Sequence, residues 1–203
     1  MTTESGFEGL GSGPARALVG RETEFERVGY YDSAEFATLA IESTTLPDEE
    51  VAEQVAEMAE VDAEGVFLPT FATGSTAGSV TTAARAAELA VFRLLEIGYE
   101  PTDVLHASGS APLAPPTRDE TEAMGRTNDA LAYGGEVHLQ VARDDDRFGE
   151  IVSTASEEYG TPFVDVFEDA DWDFYDVPES VFAPAQVTVD VVDGPVYTVG
   201  ETD

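Results

Sequence analysis

The sequence predicts an α/β protein with mixed sheets, and three features carry that expectation. Strand-like and helix-like stretches alternate along the chain, as they do where helices pack on a sheet. The helical stretches show apolar stripes at helical spacing. The chain closes with "PAQVTVDVVDGPVYTVGE", a hairpin turning at Asp193-Gly194 that adds an antiparallel pair.

In chain order, "MTTESGFEGLGSGPARALVG" opens with a Gly-rich turn and a short apolar run. "AEFATLAIES" reads as a strand through Phe36, Leu39 and Ile41. "LPDEEVAEQVAEMAEV" predicts a helix with Pro47 in its first turn, Asp48 to Glu50 facing the N-terminal dipole, and a stripe of Val51, Val55 and Met58. "EGVFLPTFATG" predicts a short apolar strand, followed by one long helix from about Ala77 to Ile97 that stops at Gly98. "TDVLHASGSAPLAPP" predicts a strand and then a Pro/Ala connector, which divides the chain into regions 1–116 and 117–203. "TRDETEAMGRTNDALAYGG" predicts a helix with a Gly-Gly stop, and "EVHLQVARDDD" a strand through Val137, Leu139 and Val141. The stretch from Phe148 to Val177 predicts helices broken by Gly160 and Pro162.

Composition narrows the function. The chain carries 42 acids against nine bases, all arginine, for a net charge of −33. That balance excludes nucleic-acid and anionic-membrane partners, whose phosphates it would repel. With 11 Phe, 7 Tyr and regular apolar periodicity, the chain predicts a folded cytoplasmic protein that works in concentrated salt. Screening shortens charge interactions to roughly 3 Å at 1 M salt, where dense surface carboxylates are tolerated. The absence of cysteine excludes disulfides, thiolate metal sites and a Cys nucleophile. Met1–Glu8 lacks the basic and apolar regions of a signal peptide.

In a chain so short of cations, arginines beside small residues stand out. Arg16, Arg85 and Arg126 do so, in "GSGPARAL", "AARAAEL" and "EAMGRTND"; Arg21, Arg27, Arg118, Arg143 and Arg147 lie in polar stretches as local counter-charges. At 100° per residue, Val80, Ala84, Ala87, Val91 and Leu94 share the sheet-facing side of the long helix. Arg85 and Glu88 fall together on its flank. Two readings stand side by side there. One is an ordinary i,i+3 ion pair worth a few tenths of a kcal/mol; the other is a carboxylate held for proton transfer. "GLGSGPAR" lacks the buried strand that a dinucleotide fingerprint needs; it reads either as a plain turn or as a tight loop feeding a helix N-terminus. Arg126, Thr127, Asn128 and Asp129 fall within one helical turn, either to hydrogen-bond a heterocycle edge or as a solvated face. His106 and His138 are read as structural and not as metal ligands. The acid runs Asp144–Asp146 and Glu168–Asp173 are read as hydrated surface. Ser12, Ser108 and Ser110 lack a nucleophile-elbow context.

The order and spacing of "GSGPARAL", "VGYYDSAE", "LPDEEVAE", "AARAAE", "APLAP", "EAMGRTNDALAYGG", "YGTPF" and "FAPAQV" resemble those of the methenyltetrahydromethanopterin cyclohydrolases, over almost the whole chain from Phe7 to Gly200. That resemblance implies a two-domain α/β fold with a large pocket between the domains, a homotrimer, and a small-molecule pterin substrate. It also implies that no metal or dissociable cofactor is needed. The implied reaction is reversible hydrolysis of the cationic N5,N10-methenyl bridge of tetrahydromethanopterin, or of tetrahydrofolate, to the N5-formyl form. The family's catalytic R-x-x-E matches Arg85 and Glu88. Ser12, Gly13, Arg16, Arg126, Thr127 and Asn128 match segments expected near the pocket. Members of the family extend well upstream of "GSGPARAL", so about the N-terminal third of their sequence has no counterpart expected here. A pterin-binding or assembly fragment without activity is therefore the alternative expectation. Ser110 stands where the resemblance leads one to expect a bulkier polar or basic residue.

Overall fold

A computed structural model describes residues 6–173 and 176–202. The first five residues of the Gly-rich opening, and Phe174 and Tyr175 in the stretch expected to be helical, lie outside the described residues. The fold is mixed α/β, and the chain divides into two compact units, Met1–Thr73 and Gly74–Asp203. The connector after "TDVLHASGS" lies inside the second unit. Ser79 Oγ donates to the Ala114 carbonyl at 2.8 Å, and the Thr117 N–H donates to the Gly74 carbonyl at 3.0 Å.

The first unit holds strands β1 (Leu10–Ser12), β2 (Ala37–Thr38), β3 (Ala40–Glu42), β4 (Val66–Phe67) and β5 (Thr70–Phe71), with helices α1 (Ala15–Val19), α2 (Thr23–Val28) and α3 (Glu49–Ala59). β1 pairs antiparallel with β3, while β3–β5 and β2–β4 are parallel pairs. The expected strand over "GVFLPTF" is split at Leu68-Pro69, where the proline has no N–H to give the ladder. Its carbonyl still accepts from Ile41 N–H at 2.8 Å, so the pairing runs through.

Two side-chain expectations are corrected in this unit. Ala37, Leu39 and Ile41 are the buried alternate positions, and Phe36 is 59% exposed. A strand's period of two puts Phe36 on the other face from Leu39, three residues on. In α3, Asp48 is the N-cap and accepts from Val51 N–H at 3.2 Å, so Pro47 precedes the cap instead of sitting in the first turn. Val51, Val55, Ala56 and Ala59 are buried, and Met58 is exposed. The stripe therefore closes on Ala59, four residues past Val55, as the 3.6-residue turn dictates.

The second unit holds helices α4 (Thr76–Ala83), α5 (Ala86–Glu96), α6 (Glu120–Gly134) and α7 (Phe163–Asp169), with strands β6 (Val104–Ser110), β7 (Glu136–Val141), β8 (Gln186–Val191) and β9 (Val196–Gly200). The strands form one sheet in the order β6-β7-β8-β9, antiparallel at both edges and parallel between β7 and β8. On one face Val137, Leu139, Val141, Val187, Val189 and Val191 pack with Ala86, Leu89, Ala90 and Leu94 of α5 to form the main core. On the other face Ser108, His138, Thr188 and Thr198 align across the four strands. Both histidines stand on this outward face and are exposed, so neither belongs to the core. Phe163, Val166, Phe167 and Val177 make a smaller cluster around α7.

The expected acidic and helical surfaces also need correction. Of the stretch from Phe148 to Val177, most of Phe148 to Ala155 forms short 3₁₀ turns, and α7 is the α-helix among its described residues. The Asp144–Asp146 run is not uniformly hydrated. Asp145 is half-buried and takes a two-point clamp from Arg147 at 2.9 and 2.6 Å, and Tyr197 donates its hydroxyl to Asp144 at 2.9 Å. The Arg147 guanidinium thereby holds the Asp145 carboxyl below the usual carboxylate range. Arg143 is a local counter-charge, 2.8 Å from the largely buried Asp103. Among the described residues, no helix is long and apolar enough to cross a membrane.

Two outcomes follow from this packing. Leu94 is fully buried in the main core, so Leu94→Ala should lower the unfolding free energy by about 2–5 kcal/mol in denaturant titration. With a net charge of −33, the thermal midpoint followed by circular dichroism should rise steeply between about 0.1 M and about 3 M NaCl as self-repulsion is screened.

Candidate active site

The segment carrying Arg85 and Glu88 is two helices where the sequence predicted one. α4 ends at Ala83, and Ala84 and Arg85 form a tight turn before α5 begins. Arg85 sits at φ −81°, ψ −4°, the bridge region, and its N–H donates to the Thr82 carbonyl at 3.0 Å, a three-residue reach. Val80, Thr81 and Thr82 immediately precede the turn, and β-branched residues are poor at propagating a helix. The turn rotates the second helix. Ala86, Leu89, Ala90 and Leu94 are buried in α5, whereas Val80 is 47% exposed and Ala84 is exposed. Of the expected face, Leu94 is buried and Ala87 and Val91 pack against the core, while Val80 and Ala84 are corrected, because a single 100° phase does not run through the turn.

This break makes Arg85 the N-cap of α5 and Glu88 its third residue. The Arg85 fork meets the Glu88 carboxylate at two points, with Nε donating to Oε2 at 2.9 Å and Nη2 to Oε1 at 3.1 Å. The two side chains are 46% and 53% exposed. Two parallel N–H···O bonds fix the plane of the carboxylate, and a carboxylate in the first turn is favoured by the helix dipole. Each carboxylate oxygen retains a further lone-pair direction toward solvent. Chemically, the arrangement is an oriented, water-accessible proton acceptor beside a fixed positive charge.

In the first unit, Ser12, Gly13 and Arg16 come together. Arg16 donates from Nη1 to Ser12 Oγ at 3.1 Å and clamps Glu22 at 2.9 and 2.7 Å. Gly13 lies at φ +140°, and a Cβ there would stand 3.3 Å from the Thr38 carbonyl oxygen, so the tight loop requires glycine. Glu22 is the partner that sequence reasoning missed. It lies six residues from Arg16, across the bend between α1 and α2, a spacing with no helical signature.

The residues of "GRTNDA" fan out around α6 and do not converge. Arg126 is exposed and pairs with Glu122 at 2.5 Å, a partner legible as an i,i+4 spacing. Thr127 is buried, with its hydroxyl donated to the Ala123 carbonyl at 2.9 Å. Asn128 donates to the Met124 carbonyl at 2.9 Å and lines a cavity of about 30 Å³ with Asp129, Tyr133 and Phe163. Asp129 accepts from the Phe163 N–H at 2.9 Å, holding the first turn of α7 to α6. Burial pushes its carboxyl above the ordinary carboxylate value, against the lowering effect of that hydrogen bond. Among the described residues, no three of His, Asp or Glu are grouped to hold a metal ion.

The family model described as "Cyclohydrolase (MCH)" matches residues 1–203. The methenyltetrahydromethanopterin cyclohydrolase of Halobacterium salinarum is 58% identical over 194 residues, covering 96% of this chain and 62% of the relative. Proteins of the same name are 40% identical in Methanobrevibacter smithii and 39% identical in Methanospirillum hungatei, each over 96% of this chain and 63% of the relative. The chain thus spans about three-fifths of the length of these curated relatives.

The α6–α7 tie gives a pH-dependent outcome. The folded-state pKa of Asp129 is raised, so the folded protein holds this proton more tightly than the unfolded chain. Stability from this group is therefore greatest below the unfolded carboxyl value of about 3.9 and falls as pH rises through the raised folded value. Asp129→Asn keeps an oxygen to accept from Phe163 and carries no buried charge. Its thermal midpoint should match or exceed that of the wild type at neutral pH, and the difference should shrink toward pH ~4. Asp129→Ala should be destabilised at both.

Proposed function

The chain belongs to the cyclohydrolase (MCH) family, and on that premise we propose that it opens and closes the N5,N10-methenyl bridge of tetrahydromethanopterin. The observation that carries the proposal is the Arg85–Glu88 clamp at the start of α5, the pair that the sequence resemblance matches to the family's R-x-x-E. The bridge carbon is electrophilic because its positive charge is shared by two nitrogens, so the reaction needs a placed water and a base more than it needs further activation.

On this reading Glu88 accepts a proton as the water oxygen bonds to the bridge carbon. It returns a proton to N10 as the C–N10 bond breaks, and the formyl group stays on N5. The cation and water together yield the neutral formyl product and one released proton, which balances the step. Arg85 keeps the carboxylate plane fixed through both transfers and faces the oxygen that gains electron density on the carbon. Ser12, Gly13, Arg16, Arg126, Thr127 and Asn128 are proposed to serve the substrate's binding, with Thr127 acting from inside α6 through its neighbours. The same family premise gives a homo-oligomer, a trimer, as the proposed assembly and requires no cofactor. A second reading is that the chain, which spans 62% of the length of the Halobacterium salinarum relative, binds the pterin without turning it over.

Decay of the methenyl absorbance in molar salt tests both. Wild type should turn the substrate over, and Glu88→Gln should lose about 10²-fold or more in kcat with an unchanged circular dichroism spectrum. Wild-type rates from Glu88→Gln would overturn the mechanism. A ligand-dependent rise in the thermal midpoint with no decay would select the second reading.

A further inference from the structure

We propose that Gly109 is a positioning residue for the Arg85–Glu88 pair, the absence of a side chain there letting the first turn of α5 close on β6. The inference rests on the function proposed for that pair. Gly109 stands in β6 opposite Val137, and its φ is not in the positive range. Its backbone conformation is therefore open to any residue, and what demands glycine is space. A Cβ at this position would lie 3.0 Å from Ala87 N, 3.1 Å from Val137 Cγ2 and 3.2 Å from the Glu136 carbonyl oxygen. Two of the three are backbone atoms, which cannot rotate aside.

Ala87 lies between Arg85 and Glu88, in the turn that carries both. Below that turn α5 is anchored by Leu89, Ala90 and Leu94, which are 3%, 0% and 0% exposed. A side chain at position 109 therefore presses on the first turn of α5, and where that turn gives, the clamp moves with it. The small residues Ala86 and Ala87 complete the close approach from the helix side. Catalytic groups displaced by about 1 Å commonly lose about 10²-fold in rate, and a smaller displacement loses proportionately less.

Gly109→Ala tests this, with Gly194→Ala as the packing control. Gly194 lies in the turn between β8 and β9, across the sheet from β6, and a Cβ there would be 2.9 Å from Val191 Cγ1. Two readouts are taken in molar salt: kcat and KM on the methenyl pterin, and the Arg85 Nε–H resonance of ¹⁵N-labelled protein. Gly109→Ala should lower kcat about tenfold with KM little changed, and should shift the Arg85 resonance. Gly194→Ala should do neither at a comparable loss of thermal stability. An unmoved Arg85 resonance in Gly109→Ala overturns the proposal, as does a kcat loss that Gly194→Ala matches. If Gly109→Ala fails to fold, Gly109→Ala/Val137→Ala removes the Val137 contact, keeps the Ala87 contact and is read in the same way. A shifted resonance combined with full turnover by Glu88→Gln would sink the proposed function and leave the positioning intact.

Discussion

The second unit depends on how closely α5 sits on its sheet. Ala86, Leu89, Ala90 and Leu94 press into a floor of valines and Leu139, and Ala86, Ala87 and Ala90 are the small residues among the helix's contacts in its first two turns. Small residues let helix and sheet backbones approach, and close approach maximises the dispersion contacts that a well-packed interior supplies. The helix can take this seat only by leaving the line of α4. The turn at Ala84–Arg85 is the result, and it brings the Arg85–Glu88 pair to the first turn of the helix, where the dipole favours the carboxylate.

Charge scarcity acts on the same structure from outside. With nine arginines among 42 acids, each guanidinium has many possible partners, and of the following ion pairs among the described residues all but Arg143–Asp103 are local in sequence. Arg16 meets Glu22, Arg126 meets Glu122, Arg143 meets Asp103 and Arg147 meets Asp145. The half-exposed Arg16–Glu22 and Arg126–Glu122 pairs contribute roughly 0–1 kcal/mol each, so they orient side chains more than they hold the fold. Arg147 is more structural, since it also donates to the Ile97 carbonyl at the end of α5.

The sequence was most legible where a period and a boundary signal agreed. β7 repeats Val137, Leu139 and Val141, and all three are buried. α6 stops at its Gly-Gly, and the Asp193-Gly194 hairpin forms between β8 and β9. It was less legible where two apolar residues competed for one face: in α3 the small Ala59 is inside and the large Met58 outside, because geometry and not size assigns the face. The turn at Ala84–Arg85 left no Gly or Pro to mark it; its only trace is the β-branched run before it. For the candidate site, the i,i+3 spacing of Arg85 and Glu88 was enough to bring them together. The Arg16–Glu22 clamp, the α6–α7 tie through Asp129 and the closeness of Gly109 to Ala87 all depend on chain reversals, and no local period records those.

The acidic surface also bears on how the proposed chemistry would be achieved. A protein of charge −33 attracts a cationic pterin bridge from a distance in dilute solution, where the Debye length is about 30 Å at 0.01 M salt. In molar salt that length falls to about 3 Å, shorter than the distance between neighbouring side chains, and the summed field no longer steers the substrate. Selection of the methenyl cation must then come from groups in direct contact with it. A single carboxylate held by two bonds from one guanidinium meets that need better than a diffuse acidic lining. Its negative charge is presented at a fixed point and direction, and its partner arginine keeps it from pairing wholly with the substrate's charge. On the proposed function, selecting the cation by direct contact and positioning the proton acceptor are thus two demands that fall on the same Arg85–Glu88 clamp, held by the 2.9 and 3.1 Å contacts at the first turn of α5.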